Sequence, residues 1–113
     1  MLSPFERGLV AHLIADWVLQ NDWMARNKSN LVHPAALVHF LINAVLMGLA
    51  LGWIAGLILG AVHVLIDTRL PMEWWRGFFR QTADGPYGVI TAVWADQVLH
   101  ITAIAAWVMF AFR

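Results

Sequence analysis

Residues 34–67 read PAALVHFLINAVLMGLALGWIAGLILGAVHVLID. As a single helix this stretch would run roughly 50 Å at 1.5 Å per residue. A bilayer's hydrocarbon core is only about 30 Å thick. The stretch is too apolar for a soluble helix and too long for one span, so it must break. The segment from Gly48 to Trp53 is the expected place, because two glycines sit there and nothing polar does. Two short antiparallel spans follow, 34–47 and 53–67.

Composition agrees. Of 113 residues, 61% are apolar and 12% charged, against about 45–50% and about 25% in soluble domains. A disordered chain and a water-soluble globule are both disfavoured, and the length suits one domain, 1–113. On the N-terminal side, residues 5–24 make a further span. It has no basic leader and carries Asp16 near its middle, so it is read as retained and not as a signal peptide. A polar loop with Arg26 and Lys28 leads to Pro34, well suited to the first turn of a helix. On the C-terminal side, residues 69–81 (RLPMEWWRGFFRQ) are amphipathic, basic and rich in Trp and Phe, as an interfacial helix is. Asp84-Gly85-Pro86 reads as a helix start, and the last span covers 87–112. The expected fold class is all-α: a polytopic four-transmembrane-helix bundle, with a short interfacial helix between spans three and four.

Charge orients it. Arg26, Lys28, Arg69, Arg76 and Arg80 fall in two loops on one side, whereas Arg7 and Arg113 fall on the other. Basic loops face the cytoplasm, so a bacterial inner-membrane location with both termini outside is expected. Seven Lys/Arg balance seven Asp/Glu, which leaves no basic surplus for nucleic acid. With no cysteine, disulfides, thiolate zinc and iron–sulfur clusters are excluded.

Ionisable residues inside spans cost about 2.5–3.5 kcal/mol each on insertion scales, and they mark functional sites. Here they recur as His12-x-x-x-Asp16, His63-x-x-x-Asp67 and Asp96-x-x-x-His100, with His39-x-x-x-Asn43 in span two. Residues four apart share a helix face. Spans one and three run parallel and span four runs against them. The reversed order in span four therefore puts every Asp at one level and every His one turn deeper. Three carboxylates in a low-dielectric bundle need compensation. Protonated histidines could pair with them. Alternatively, neutral imidazoles and carboxylates could bind one or two divalent cations, zinc first, with iron or manganese as alternatives. His12, Asp16, His39, His63, Asp67, Asp96 and His100 are the candidate ligands. Helix-gluing His–Asp pairs and metal-free proton handling are the rival readings.

Other signals are weaker. Gln20 continues the His12/Asp16 face, His33 precedes Pro34 at a water boundary, and Asp22 with Lys28 reads as a solvated pair. Gln97 is expected to face a different direction from Asp96. Gly48, Gly52, Gly56 and Gly60 permit close helix approach, by default within the chain, with a homodimer face through Gly52, Gly56 and Gly60 as the alternative. Trp23, Trp74 and Trp75 suit one interface and Trp53 and Trp107 the other, while Trp17 and Trp94 read as core. Serines occur only at 3 and 29, away from the spans' histidines, which disfavours a serine nucleophile. No HExxH or phosphate-binding glycine loop occurs.

The run His12-Leu-Ile-Ala-Asp16-Trp-Val-Leu-Gln20, with Trp23-Met-Ala, Lys28, His63-x-x-x-Asp67 and Asp96-Gln97-x-x-His100, resembles a bacterial and phage family of small membrane proteins known only as a domain of unknown function. That family's motifs are HxxxDFxLQ, a His near the start of the second span, HxxxD and DQxxH. Trp17 stands where the family has Phe, and its second-span His corresponds to His33 or His39. The resemblance implies a multi-span helical protein and no established activity.

The functional expectation is a membrane-embedded metal-binding protein that acts as a metal-dependent hydrolase on a lipid or membrane-proximal substrate. His12, His63 and His100 would be ligands. Asp16, Asp67 and Asp96 would be co-ligands, partners of the histidines or, in one case, the general base. A proton or divalent-metal transporter and a structural, partner-binding subunit are the alternatives.

Overall fold

The computed structural model describes residues 1–81 and 83–112, so Arg113, counted above on the outer side, lies outside the described residues. Among those described, all regular structure is helical. Helix α1 (Pro4–Leu13) starts on a reciprocal cap. Ser3 Oγ accepts the Glu6 N–H at 3.2 Å, while Glu6 Oε2 accepts the Ser3 N–H at 2.9 Å. The helix runs directly into a π-helical turn, Ile14–Val18, where the Leu19 N–H reaches back to the Ile14 carbonyl at 2.9 Å. Short helix α2 (Asp22–Asn27) is capped by Asn21, whose Oδ1 accepts the Met24 N–H at 2.9 Å. Then follow α3 (Pro34–Leu51), α4 (Trp53–Asp67), α5 (Leu70–Phe78) and α6 (Gly85–Ala111).

The predicted break falls where expected but is sharper. Helix α3 continues past Met47 to Leu51, and Gly52 alone makes the turn at φ 102°, a conformation natural only to glycine. Its consequence is intimate α3–α4 packing. A Cβ on Gly56 would strike the Ala44 carbonyl oxygen and the Gly48 backbone, and one on Gly60 would press on Phe40 and Ala44. The glycine faces at 56 and 60 are thus filled within the chain.

Two helices, Pro34–Leu51 and Gly85–Ala111, are long and apolar enough to cross a membrane, or three if α4 and α5, bent by 55°, count as one broken span. Four spans are therefore not evident from length alone. The first expected span, 5–24, is interrupted: helix α1 and its π turn end at Val18, and α2 is a separate piece. The interfacial segment condenses from 69–81 to α5, and the last span starts at Gly85, two residues early.

Packing nonetheless makes a four-helix ring. Helix α1 lies against α3 and α6, and α4 lies against the same two. One end of the ring gathers the N-terminus, the Gly52 turn and the end of α6, with Arg7 Nε donating to the Ala50 carbonyl at 3.0 Å. This half is apolar inside: Ala11, Met47, Ala55, Leu59 and Ile104 form one cluster. The other end carries α2, the following loop and α5. The polarity is inverted relative to a soluble bundle. Leu37, Leu41, Val45 and Leu49 make an exposed stripe on α3, whereas histidines and aspartates fill the interior of this second half. Trp17 and Trp94, expected as core, point outward at 61% and 65% exposure, because a bundle with a polar interior turns its large apolar groups out.

Candidate metal centre

Each contributing side chain is delivered by one wall of the ring. Asp16 comes from the π turn after α1, His39 from α3, and His63 and Asp67 from successive turns of α4. All four are buried. His39 Nε2 lies 3.1 Å from Asp16 Oδ1 and 3.1 Å from Asp67 Oδ2. His63 Nε2 lies 3.1 Å from the same two oxygens, and the two nitrogens are 2.9 Å apart. These four atoms belong to a group lying within 4.8 Å of one another.

That arrangement does not work as a set of hydrogen bonds. Each Nε2 has one hydrogen or one lone pair, yet faces two carboxylate oxygens and another imidazole nitrogen. Two Nε2–H groups cannot meet at 2.9 Å, so both histidines cannot be protonated there. Asp16 Oδ1 and Asp67 Oδ2 are buried and carry no hydrogen bond, although two nitrogens sit 3.1 Å from each. The four atoms lie as close together as the ligands of one ion would. A tetrahedron with 3.1 Å edges has its centre about 1.9 Å from each vertex, close to the zinc–oxygen and zinc–nitrogen lengths of about 2.0–2.2 Å.

Around this set runs a second layer. His100 Nε2 donates to the outer oxygen of Asp67, Oδ1, at 3.1 Å. Gln97 Nε2 donates to the outer oxygen of Asp16, Oδ2, at 3.3 Å and to Asp96 Oδ2 at 3.3 Å, while its Oε1 accepts from His12 Nε2 at 2.9 Å. The ring of His63 stacks on that of His100 at 4.0 Å, and His12 packs against both at 5.3 and 4.9 Å. Lys28, from the loop after α2, brings Nζ to 3.6 Å from Asp67 Oδ1. Second-layer partners of this kind hold ligand oxygens in place and tune their basicity.

All seven predicted ligands therefore converge, in unequal roles. Asp16, His39, His63 and Asp67 form the inner set. His12 and His100 touch that set through Gln97 and Asp67, and Asp96 sits partly exposed at the rim, 3.5 Å from His100 Nε2. Further overlapping groups, His12/His63/His100 and Asp16/Asp96/His100, also lie within ligand reach. The rings of His12, His63 and His100 pack together as expected, while His63 and His100 also reach the aspartate oxygens. Helix α3 runs downward, so His39 enters the aspartate level, and Asn43, one turn on, lines the small void of about 10 Å³ beside His12, His63 and His100. His33 takes no part: it caps α3, its Nδ1 accepting the Ala35 N–H at 3.0 Å, and packs on Trp23.

Two members escaped the sequence reading. Gln97 is buried and does hydrogen-bond a neighbouring helix, but it bridges three site residues at once; its spacing three before His100 is the signal for that role. Lys28 turns to Asp67 instead of pairing with Asp22, because the loop folds over the end of α4. Gln20, expected on the same face, lies past the end of the π turn and keeps its Oε1 buried without a hydrogen-bond partner.

No curated protein and no solved structure matches the chain. A family model does, over residues 5–113, a length that takes in all but the first residue of α1, every later helix and every residue of the cluster. The HxxxD, HxxxD and DQxxH segments quoted above are the ones that build the inner and outer layers, and the chain belongs to the family described as Protein of unknown function (DUF3307).

Proposed function

We propose that this chain is an integral membrane protein of four spans that holds one divalent cation between Asp16, His39, His63 and Asp67 and uses it to hydrolyse a lipid or other membrane-proximal substrate. The supporting observation is the inner set itself: two imidazole nitrogens and two carboxylate oxygens, buried, mutually close and unable to satisfy one another. Charge supports a single ion. With neutral histidines, the three carboxylates of Asp16, Asp67 and Asp96 balance one divalent cation plus the Lys28 ammonium. Nitrogen and oxygen donors suit zinc, with iron or manganese as alternatives. The apolar exterior supports four spans despite the shortness of α1 and α4. The basic residues of the α2 and α5 end favour a cytoplasmic face there, in a bacterial inner membrane with the termini outside.

When bound, such a cation polarises a scissile group and lowers the pKa of a water toward about 7. The protein's own contribution is positional. Asp67 and Asp96 reach a cleft of about 400 Å³ at the α5 end, so a substrate approaching there meets the site from one side. Asp96, partly exposed and tied to Gln97 and His100, is placed to take a proton as general base. Transport needs a second opening, and below the site the bundle closes on Ala11, Met47, Leu59 and Ile104. The test is reconstitution in phosphatidylethanolamine/phosphatidylglycerol vesicles, with and without zinc, reading lipid products by mass spectrometry and zinc influx with an enclosed indicator. Zinc-dependent products without influx, lost in Asp96→Asn with zinc retained, are expected. Influx without products would replace the hydrolase with a transporter.

A further inference from the structure

The cleft above the site has a chemical character of its own. Its walls carry Lys28, Arg69 and Arg76 together with Asp67, Glu73 and Asp96. The acids are engaged: Glu73 with Arg76 at 3.4 Å, Asp67 with the histidines, and Asp96 with Gln97. Once a divalent cation offsets Asp16 and Asp67, which is the reading above on which this inference rests, the three bases outnumber Glu73 and Asp96 by one charge. A concave site of that sign concentrates anions. Arg69 adds to the argument through its backbone. It starts α5 at φ 68°, a left-handed conformation that glycine adopts at lower cost. An arginine there contributes one thing a glycine lacks, a guanidinium on the cleft wall, and planar guanidinium forks match phosphate oxygens.

The cleft is also not isolated. Met72, buried in the first turn of α5, lines both it and a neighbouring groove of about 650 Å³. Trp75, Tyr87, Trp94, Val98 and Leu99 line that groove, which follows α6 for about 18 Å. A free phosphate would use the cleft alone, whereas an amphiphile would use both. We propose that cleft and groove together hold a phosphate-bearing lipid, its phosphate on Lys28 and Arg69 and one acyl chain along α6, with Arg76, buried and bound to Glu73 and the Gly88 carbonyl, adding positive charge from the wall.

Calorimetric titration of the zinc-loaded protein in neutral detergent tests this, with dioctanoyl phosphatidic acid and inorganic phosphate as probes and zinc content measured on every sample. Phosphatidic acid should bind at least about tenfold tighter than phosphate. Lys28→Met and Arg69→Gly should each weaken it about tenfold, and Arg69→Gly relaxes the backbone, so its loss is not misfolding. Ala95→Trp, which narrows the groove, should abolish the lipid's advantage and leave phosphate binding unchanged. Equal affinity for lipid and phosphate, or indifference to both charge substitutions, overturns the proposal while leaving the metal reading standing. Absence of zinc from wild-type samples overturns the metal reading instead, whatever the lipid does.

Discussion

Replacing His39 with glutamine probes the inner set with little disturbance to the fold. The amide is close in size and can still hydrogen-bond the oxygens of Asp16 and Asp67, now 3.1 Å from Nε2, but it is a poor zinc ligand. Second-layer substitutions at metal sites cost about 10–100-fold in affinity, so loss of a direct ligand should cost at least about 100-fold. Ligand binding to the folded state stabilises it by RT ln(1 + [L]/Kd). With zinc held at about 100 times the wild-type Kd, wild type gains about 2.7 kcal/mol. His39→Gln, then near its own Kd, gains only about 0.4 kcal/mol. At about 2.1 cal/mol/K per residue, 113 residues convert these to shifts of about 11 °C and about 2 °C. Thermal unfolding in detergent, with and without zinc, reads the difference. His33→Gln is the control. It loses a helix cap, about 1 kcal/mol, from both states alike and keeps the full zinc-induced shift. Equal zinc-induced shifts in wild type and His39→Gln would refute the assignment of His39 to the ion.

Three further outcomes follow from the same geometry. Zinc affinity should fall steadily as pH is lowered, because protons compete for two imidazole nitrogens and two carboxylate oxygens, and binding should release protons measurable in weakly buffered solution; a pH-independent Kd would contradict this. Gln97→Leu, which removes the link between His12, Asp16 and Asp96, should weaken zinc about 10–100-fold with the fold retained by circular dichroism. Gly56→Leu should destabilise the bundle by about 1–3 kcal/mol or more in detergent unfolding, since its side chain meets the Ala44 carbonyl and the Gly48 backbone.

Much of this arrangement was legible in the chain because spacing is direct geometry. Four-residue His/Asp pairs must share a face, and alternating direction must put His12, His63 and His100 at one level. The glycines near 52 marked the only economical break in an apolar run. What spacing leaves open is rotation and neighbours. In helix α3 the His39-x-x-x-Asn43 spacing favours His39 as the inward residue, while the family resemblance leaves His33 or His39 open; the cap formed by His33 resolves it. The π turn brings Asp16 beside His39 of α3 and His63 of α4, and no local propensity announces it. For Gln97, adjacency to Asp96 suggests only an interhelical hydrogen bond, whereas its place three before His100 on a shared face accounts for its bridging role. The rule for soluble cores places Trp17 and Trp94 inward, and an inverted bundle reverses it.

X-ray absorption on zinc-loaded, detergent-purified protein, with elemental analysis of the same sample, confronts the proposal most directly. One zinc per chain is expected, with a shell of nitrogen and oxygen at about 2.0–2.1 Å and scattering from two imidazoles, falling to one in His63→Gln. Zinc that washes away from the wild type, or a shell unchanged in both His39→Gln and His63→Gln, would contradict it.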